Sequence, residues 1–86
     1  MNDMQGKVVF VTGSARRVGR AIALTFAQQG AHIVIHHSSS DADAASAAAE
    51  VRKLGVDALV IKANMADPAA VAAMFAAIQL IMGGWM

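Results

Sequence analysis

Three short apolar runs, each followed by a stretch of helical periodicity, organise this chain. Val8-Val9-Phe10-Val11 is apolar at successive positions, as in a strand covered on both faces, and predicts a first strand over Lys7–Val11. Val18, Ile22 and Phe26 then recur every fourth residue and predict a helix over Val18–Gln29, with that stripe inward and Gly30 as its stop. Ile33-Val34-Ile35 centres a second strand, His32–His36. Ser38-Ser39-Ser40 reads as a turn or N-cap cluster, with Asp41 and Asp43 in the favourable first turn of a second helix. That helix carries a thin stripe of Ala44, Ala47, Ala48, Val51 and Leu54 and stops at Gly55. The third strand is Ala58–Lys62. Asp67-Pro68, an N-cap followed by proline at the first helical position, opens a third helix. It places Val71, Met74, Phe75, Ile78, Ile81 and Met82 on one wide face, and Leu80 and Trp85 add apolar surface beside Gly83-Gly84.

Strand and helix signals alternating in this way imply an α/β domain of βαβαβα order with a parallel sheet. With 86 residues, positions 1–86 are expected to form a single domain. The hydrophobic share of 57% is inflated by alanine, and no run approaches the roughly 20 apolar residues that span a bilayer. Met1–Lys7 lacks the apolar middle of a signal peptide, and the absence of cysteine excludes disulfides and thiolate metal sites, so a cytoplasmic setting is expected. A net charge of +1 argues against a general polyanion-binding role: neither nucleic acid nor membrane is an expected partner.

Chemistry concentrates between the first strand and the first helix. In Thr12-Gly13-Ser14-Ala15-Arg16-Arg17-Val18-Gly19, Gly13 allows a tight turn and Gly19 lets helix and strand pack closely. The helix start then presents free backbone N–H groups to an anion, which makes the segment a phosphate cradle. Arg16, Arg17 and Arg20 crowd that helix start, where cations oppose the macrodipole unless an anion offsets them.

Over about residues 5 to 75 these motifs resemble the short-chain dehydrogenase/reductase family. Its signature Thr-Gly-x-x-x-Gly-x-Gly aligns on Thr12 to Gly19, with Arg17 in place of the middle glycine. That departure is similar to the pteridine reductase branch. The resemblance implies the N-terminal βαβαβα half of a Rossmann-type doubly wound parallel sheet, bound to a dinucleotide. Gly13, Ser14, Arg16, Arg17, Val18 and Gly19 would form the cofactor loop. At the end of strand two a carboxylate would favour NAD, but here stand Ile35-His36-His37-Ser38-Ser39-Ser40, with no acid before Asp41. Hydroxyls, imidazoles and the Arg16 guanidinium suit a 2′-phosphate, so NADP(H) is favoured over NAD(H). His36 and His37 are either direct ligands or a polar strand end, and a metal role is not expected. Asn64 and Met65 follow strand three where the family carries an adenine-contacting aspartate; Asn64 is either that contact or a turn residue.

Catalysis in the family rests on a tyrosine, a lysine four residues later, a serine and an asparagine. This chain has no tyrosine and no Asn-Asn-Ala-Gly strand, so no catalytic residue is assigned within it. Three readings stay open. The first is the cofactor-binding portion of an NADP(H)-dependent oxidoreductase that reduces a carbonyl or pterin-like substrate in its full-length form. The second is a nucleotide-binding module without catalysis. The third is a self-associating structural fragment. In the doubly wound strand order the first strand is central, so here its unpaired edge, or the apolar face of the third helix, is expected to drive homodimer or higher oligomer formation.

Overall fold

The second apolar run becomes the centre of the sheet because, among the described residues, it alone is a strand paired along both sides. In a computed structural model, which describes residues 5–82, β1 (Val8–Val11), β2 (His32–His37) and β3 (Ala58–Lys62) form one parallel sheet in the order β1-β2-β3. Val8 pairs with His32 and Val11 with Ile35, while Ile33 pairs with Ala58 and His37 with Lys62. β2 therefore runs one residue past its predicted end, since its partner on β3 continues to Lys62. Ile33, Val34 and Ile35 are fully buried, as a strand covered on both faces demands.

Helices α1 (Arg17–Gln28), α2 (Asp41–Lys53) and α3 (Pro68–Met82) alternate with the strands. Alternate β2 side chains serve opposite faces. Ile33 and Ile35 meet Ala23, Ala27, Ala44, Ala47, Ala48 and Val51 of α1 and α2. Val34 meets Met74 and Ile78 of α3, together with Val8, and Val71 and Phe75 pack around them. The two layers leave β1 and β3 as edges.

Two predicted core stripes need correction. Val18 and Ile22 were expected inward, but they are 72% and 42% exposed, and Ala23 and Ala27 face the sheet instead. Gly19, Ala23 and Ala27 are spaced by four, and this narrow ridge lets α1 sit close to the strands; Val18 and Ile22 lie about 100° round the helix from it. Phe26 packs only partly against the same cluster. Leu54 is 44% exposed because it caps α2 rather than lying on its buried face. The Asp67-Pro68 start holds: the Ala69 N–H donates to Asp67 Oδ1 at 3.0 Å. The side chains of Ile81 and Met82, and residues Gly83, Gly84 and Trp85, lie outside the described residues. No described helix is long and apolar enough to cross a membrane.

Candidate functional site

Parallel strands deliver all their following loops to one end of the sheet, and here those loops are 12–16, 38–40 and 63–67. Gly13 lies at φ +61°, in the left-handed region, where a side chain would be strained although nothing crowds it. Gly19 is constrained differently: a Cβ there would sit 2.4 Å from the Gly13 carbonyl oxygen. The first glycine makes the turn; the second lets the helix start above it. Arg17, in the place of the family's middle glycine, also has positive φ, at 55°. A non-glycine residue held there stores about 1–2 kcal/mol of backbone strain, at the mouth of the loop.

The turn is fastened to β2 by three hydrogen bonds, and a fourth carries the link on to the end of β3. Ser14 N–H donates to the His36 carbonyl at 3.0 Å, and His36 N–H donates to Ser14 Oγ at 3.0 Å. Gly13 N–H donates to His36 Nδ1 at 3.0 Å, and on its other side the ring meets the Ala63 carbonyl through Nε2 at 3.0 Å. Because Nδ1 accepts, the ring hydrogen sits on Nε2 and donates to Ala63. The imidazole thus ties the first loop to the end of β3. The sequence puts Ser14 in the cofactor loop and leaves His36 either a ligand or a polar strand end; both side chains are buried and hydrogen-bonded within the frame. Nothing in spacing alone joins positions 13, 36 and 63.

His37 is buried too, with Nδ1 accepting from Ser40 N–H at 3.1 Å and Nε2 lying 3.6 Å from Asp41 Oδ1. Ser38 and Ser39 are exposed beyond it. Asn64 closes a turn, its Oδ1 accepting from Ala66 N–H at 2.9 Å, so the turn reading of this residue describes its local role. Among the described residues no partner meets its amide nitrogen, and Met65 beside it is 42% exposed.

The arginines do not form one free patch. Arg20 reaches across to Glu50 and Ser46 of α2. Arg16 Nε lies 3.7 Å from Asp43 Oδ2, and Lys62 Nζ lies 3.6 Å from Asp41 Oδ2. No ion pair of Arg17 occurs among the described residues. Arg16 borders a groove of about 170 Å³ with Gly13, Ala15, His36, His37, Ser38 and Ser40. A roomier depression of about 480 Å³ lies at the opposite end of the sheet, around Val8, His32 and Asp57. That end collects helix C-termini, whose dipoles repel phosphate. The smaller groove lies beside the starts of α1 and α2, neither of which has a side-chain cap, so their first N–H groups face outward without intrahelical acceptors. Of the two depressions the smaller one therefore has the chemistry that suits an anion. Among the described residues no group of three His, Asp or Glu side chains is placed to hold a metal ion.

Comparison with known proteins agrees with this geometry. The family described as short chain dehydrogenase matches residues 7–84. The L-rhamnose 1-dehydrogenase (NAD(P)(+)) of Sphingomonas sp. (strain SKA58) is 43% identical over 68 residues, 79% of this chain and 27% of that protein. The NADPH-dependent aldehyde reductase-like protein of Arabidopsis thaliana is 40% identical over 85 residues, covering 88% of this chain and 32% of its own length. Among solved structures, a putative dehydrogenase from Burkholderia cenocepacia with bound NADP superposes with a TM-score of 0.89 at 32% identity, over 96% of this chain and 32% of that one. The chain thus spans about a third or less of these relatives. A glycine-turned loop opening α1, a three-stranded parallel sheet and a match across nearly the whole chain together place it in the short-chain dehydrogenase/reductase family.

Proposed function

We infer that this chain is the cofactor-binding segment of an NADP(H)-dependent oxidoreductase acting on a carbonyl or pterin-like substrate. The observation that carries the cofactor preference is the groove at the end of β2. No acid lines it, Asp41 and Asp43 standing beyond it on the first turn of α2, whereas Arg16, Ser38 and Ser40 do. An acid there would accept from ribose hydroxyls and repel a 2′-phosphate; these groups donate instead. The residues fit a dinucleotide: Gly13 and Gly19 shape the turn, the α1 start offers N–H groups to the pyrophosphate, and Arg16 with Ser38 and Ser39 meets the 2′-phosphate. Asn64 and Met65 stand where the adenine would lie. NADPH, when bound, supplies a hydride. The chain's own residues bind and orient it, and with no tyrosine present they carry no family-type proton donor.

Calorimetric titration tests this reading. The chain is expected to bind NADP and 2′,5′-ADP, and Arg16→Ala to weaken 2′,5′-ADP about tenfold or more, the size of a charge-assisted hydrogen bond, while leaving 5′-AMP unchanged. Equal binding of NAD and NADP by the wild type, or an Arg16→Ala variant that binds like it, overturns the preference.

A second reading, self-association, draws on the surface. β1 is an edge strand, Val18 is 72% exposed on α1 and Leu80 88% exposed on α3. Unpaired strand edges recruit partners. We propose a homodimer or higher oligomer through the β1 edge or α3; light scattering should give at least twice the chain mass, and a stable monomer at micromolar concentration sinks the proposal.

A further inference from the structure

The groove that suits a 2′-phosphate carries its own competitor. Asp43, on the first turn of α2, lies 3.7 Å from Arg16 with both side chains about half exposed (56% and 51%). Two residues earlier in the same turn, Asp41 is shared between Lys62 and His37, each at 3.6 Å. Two acids thus offset two of the permanent cations around the groove, Arg16 and Lys62, where a site built only to attract a phosphate would leave those cations unpaired. Resting on the cofactor reading above, we propose that Asp43 is a specificity-determining residue. It holds Arg16 when no phosphate is present and repels the 2′-phosphate when one arrives, which narrows the preference for NADP over NAD.

The size of the effect decides its character. An exposed pair in high dielectric is weak, so a doubly charged phosphate displaces the carboxylate from Arg16. Asp43 therefore trims the preference and does not abolish it. Its action is confined to ligands that carry the 2′-phosphate, because 5′-AMP places no charge against Arg16. Asp41 is a weaker antagonist, since Lys62 already neutralises it from β3.

The test uses 2′,5′-ADP and 5′-AMP as probes of the 86-residue chain by calorimetry, with folding checked by circular dichroism. Asp43→Asn is expected to tighten 2′,5′-ADP about three- to fivefold, the upper end of what an exposed ion pair carries, and to leave 5′-AMP within about twofold. Asp43→Ser, which keeps a polar first-turn residue, should do the same. Glu50→Gln removes the same charge from the Arg20 pair further along the helices and should leave the ratio of the two affinities unchanged. Unchanged or weaker 2′,5′-ADP binding by both Asp43 variants overturns the proposal, weaker binding meaning that Asp43 orders Arg16 for the phosphate. An equal gain in Glu50→Gln also overturns it, as a net-charge effect. A wild type that binds neither probe removes the nucleotide reading itself, and this proposal with it.

Discussion

Gly19→Ala is expected to lower stability by about 1–3 kcal/mol and to abolish measurable nucleotide binding, although alanine is the better helix former. The added Cβ would meet the Gly13 carbonyl oxygen at 2.4 Å, the Gly13 carbonyl carbon at 3.0 Å and the Ser14 Cα at 3.1 Å. All three are backbone atoms, so no rotamer change relieves the contact. Either α1 lifts away or the turn shifts. Lifting α1 withdraws Ala23 and Ala27, both buried against the sheet, and shifting the turn breaks its bonds to His36. The gain in helix propensity, about 1 kcal/mol at most, offsets only part of this. Gly13→Ala is the informative comparison. It has φ +61° and no atom within 4 Å of the added Cβ, so it carries the left-handed penalty alone, about 1–2 kcal/mol. Urea denaturation of the two variants, with 2′,5′-ADP titration beside it, separates conformational from steric demand. A Gly19→Ala chain as stable as the wild type and equally competent to bind refutes the close-approach argument.

Much of the frame was legible because it depends on neighbours in sequence. Apolar run length located all three strands, and β3 keeps its predicted bounds, Ala58–Lys62. The Asp67-Pro68 signal works through atoms two residues apart, so α3 begins where the sequence says. The face of α1 differs from its hydrophobic stripe because side-chain size, not hydrophobicity, decides which residues meet the sheet. Gly19, Ala23 and Ala27 carry little apolar surface, yet a helix seated tightly on strands selects small residues, and their spacing of four was the available signal. At the site, the parallel topology was enough to gather the three loops. The partners within it were not legible. Arg16 finds Asp43 and Arg20 finds Glu50 across two helices, and Ser14 and His36 turn inward because the Gly13–Ser14 segment continues the pairing of β1 with β2. Such contacts follow from the register of packed elements, which no local pattern encodes.

His36→Ala should prove as damaging as any single change in the chain, at about 2–4 kcal/mol, because it strips one partner from each of two backbone groups that its ring satisfies. Gly13 N–H loses its acceptor and Ala63 C=O its donor, in a position only 5% exposed where water replaces them poorly. For a domain this small, that loss corresponds to a fall in Tm of roughly 8 °C or more. Phe10, whose ring lies 5.9 Å from the imidazole, also loses a packing neighbour. Two conservative variants divide the role. An asparagine carboxamide oxygen falls near Nδ1 and can still accept from Gly13, but it does not reach Ala63. A glutamine carboxamide extends toward Nε2 and can donate to Ala63 while leaving Gly13 N–H unmatched. If the ring acts as a brace for the loop, His36→Asn keeps 2′,5′-ADP affinity within about threefold at reduced stability, since the bond it preserves is the one at the turn. His36→Gln loses affinity further for a similar loss in Tm. Were His36 instead a direct ligand of the nucleotide, affinity would fall alike in both variants and stability would hardly move. Denaturation midpoint plotted against binding constant for the three variants therefore distinguishes a brace from a contact.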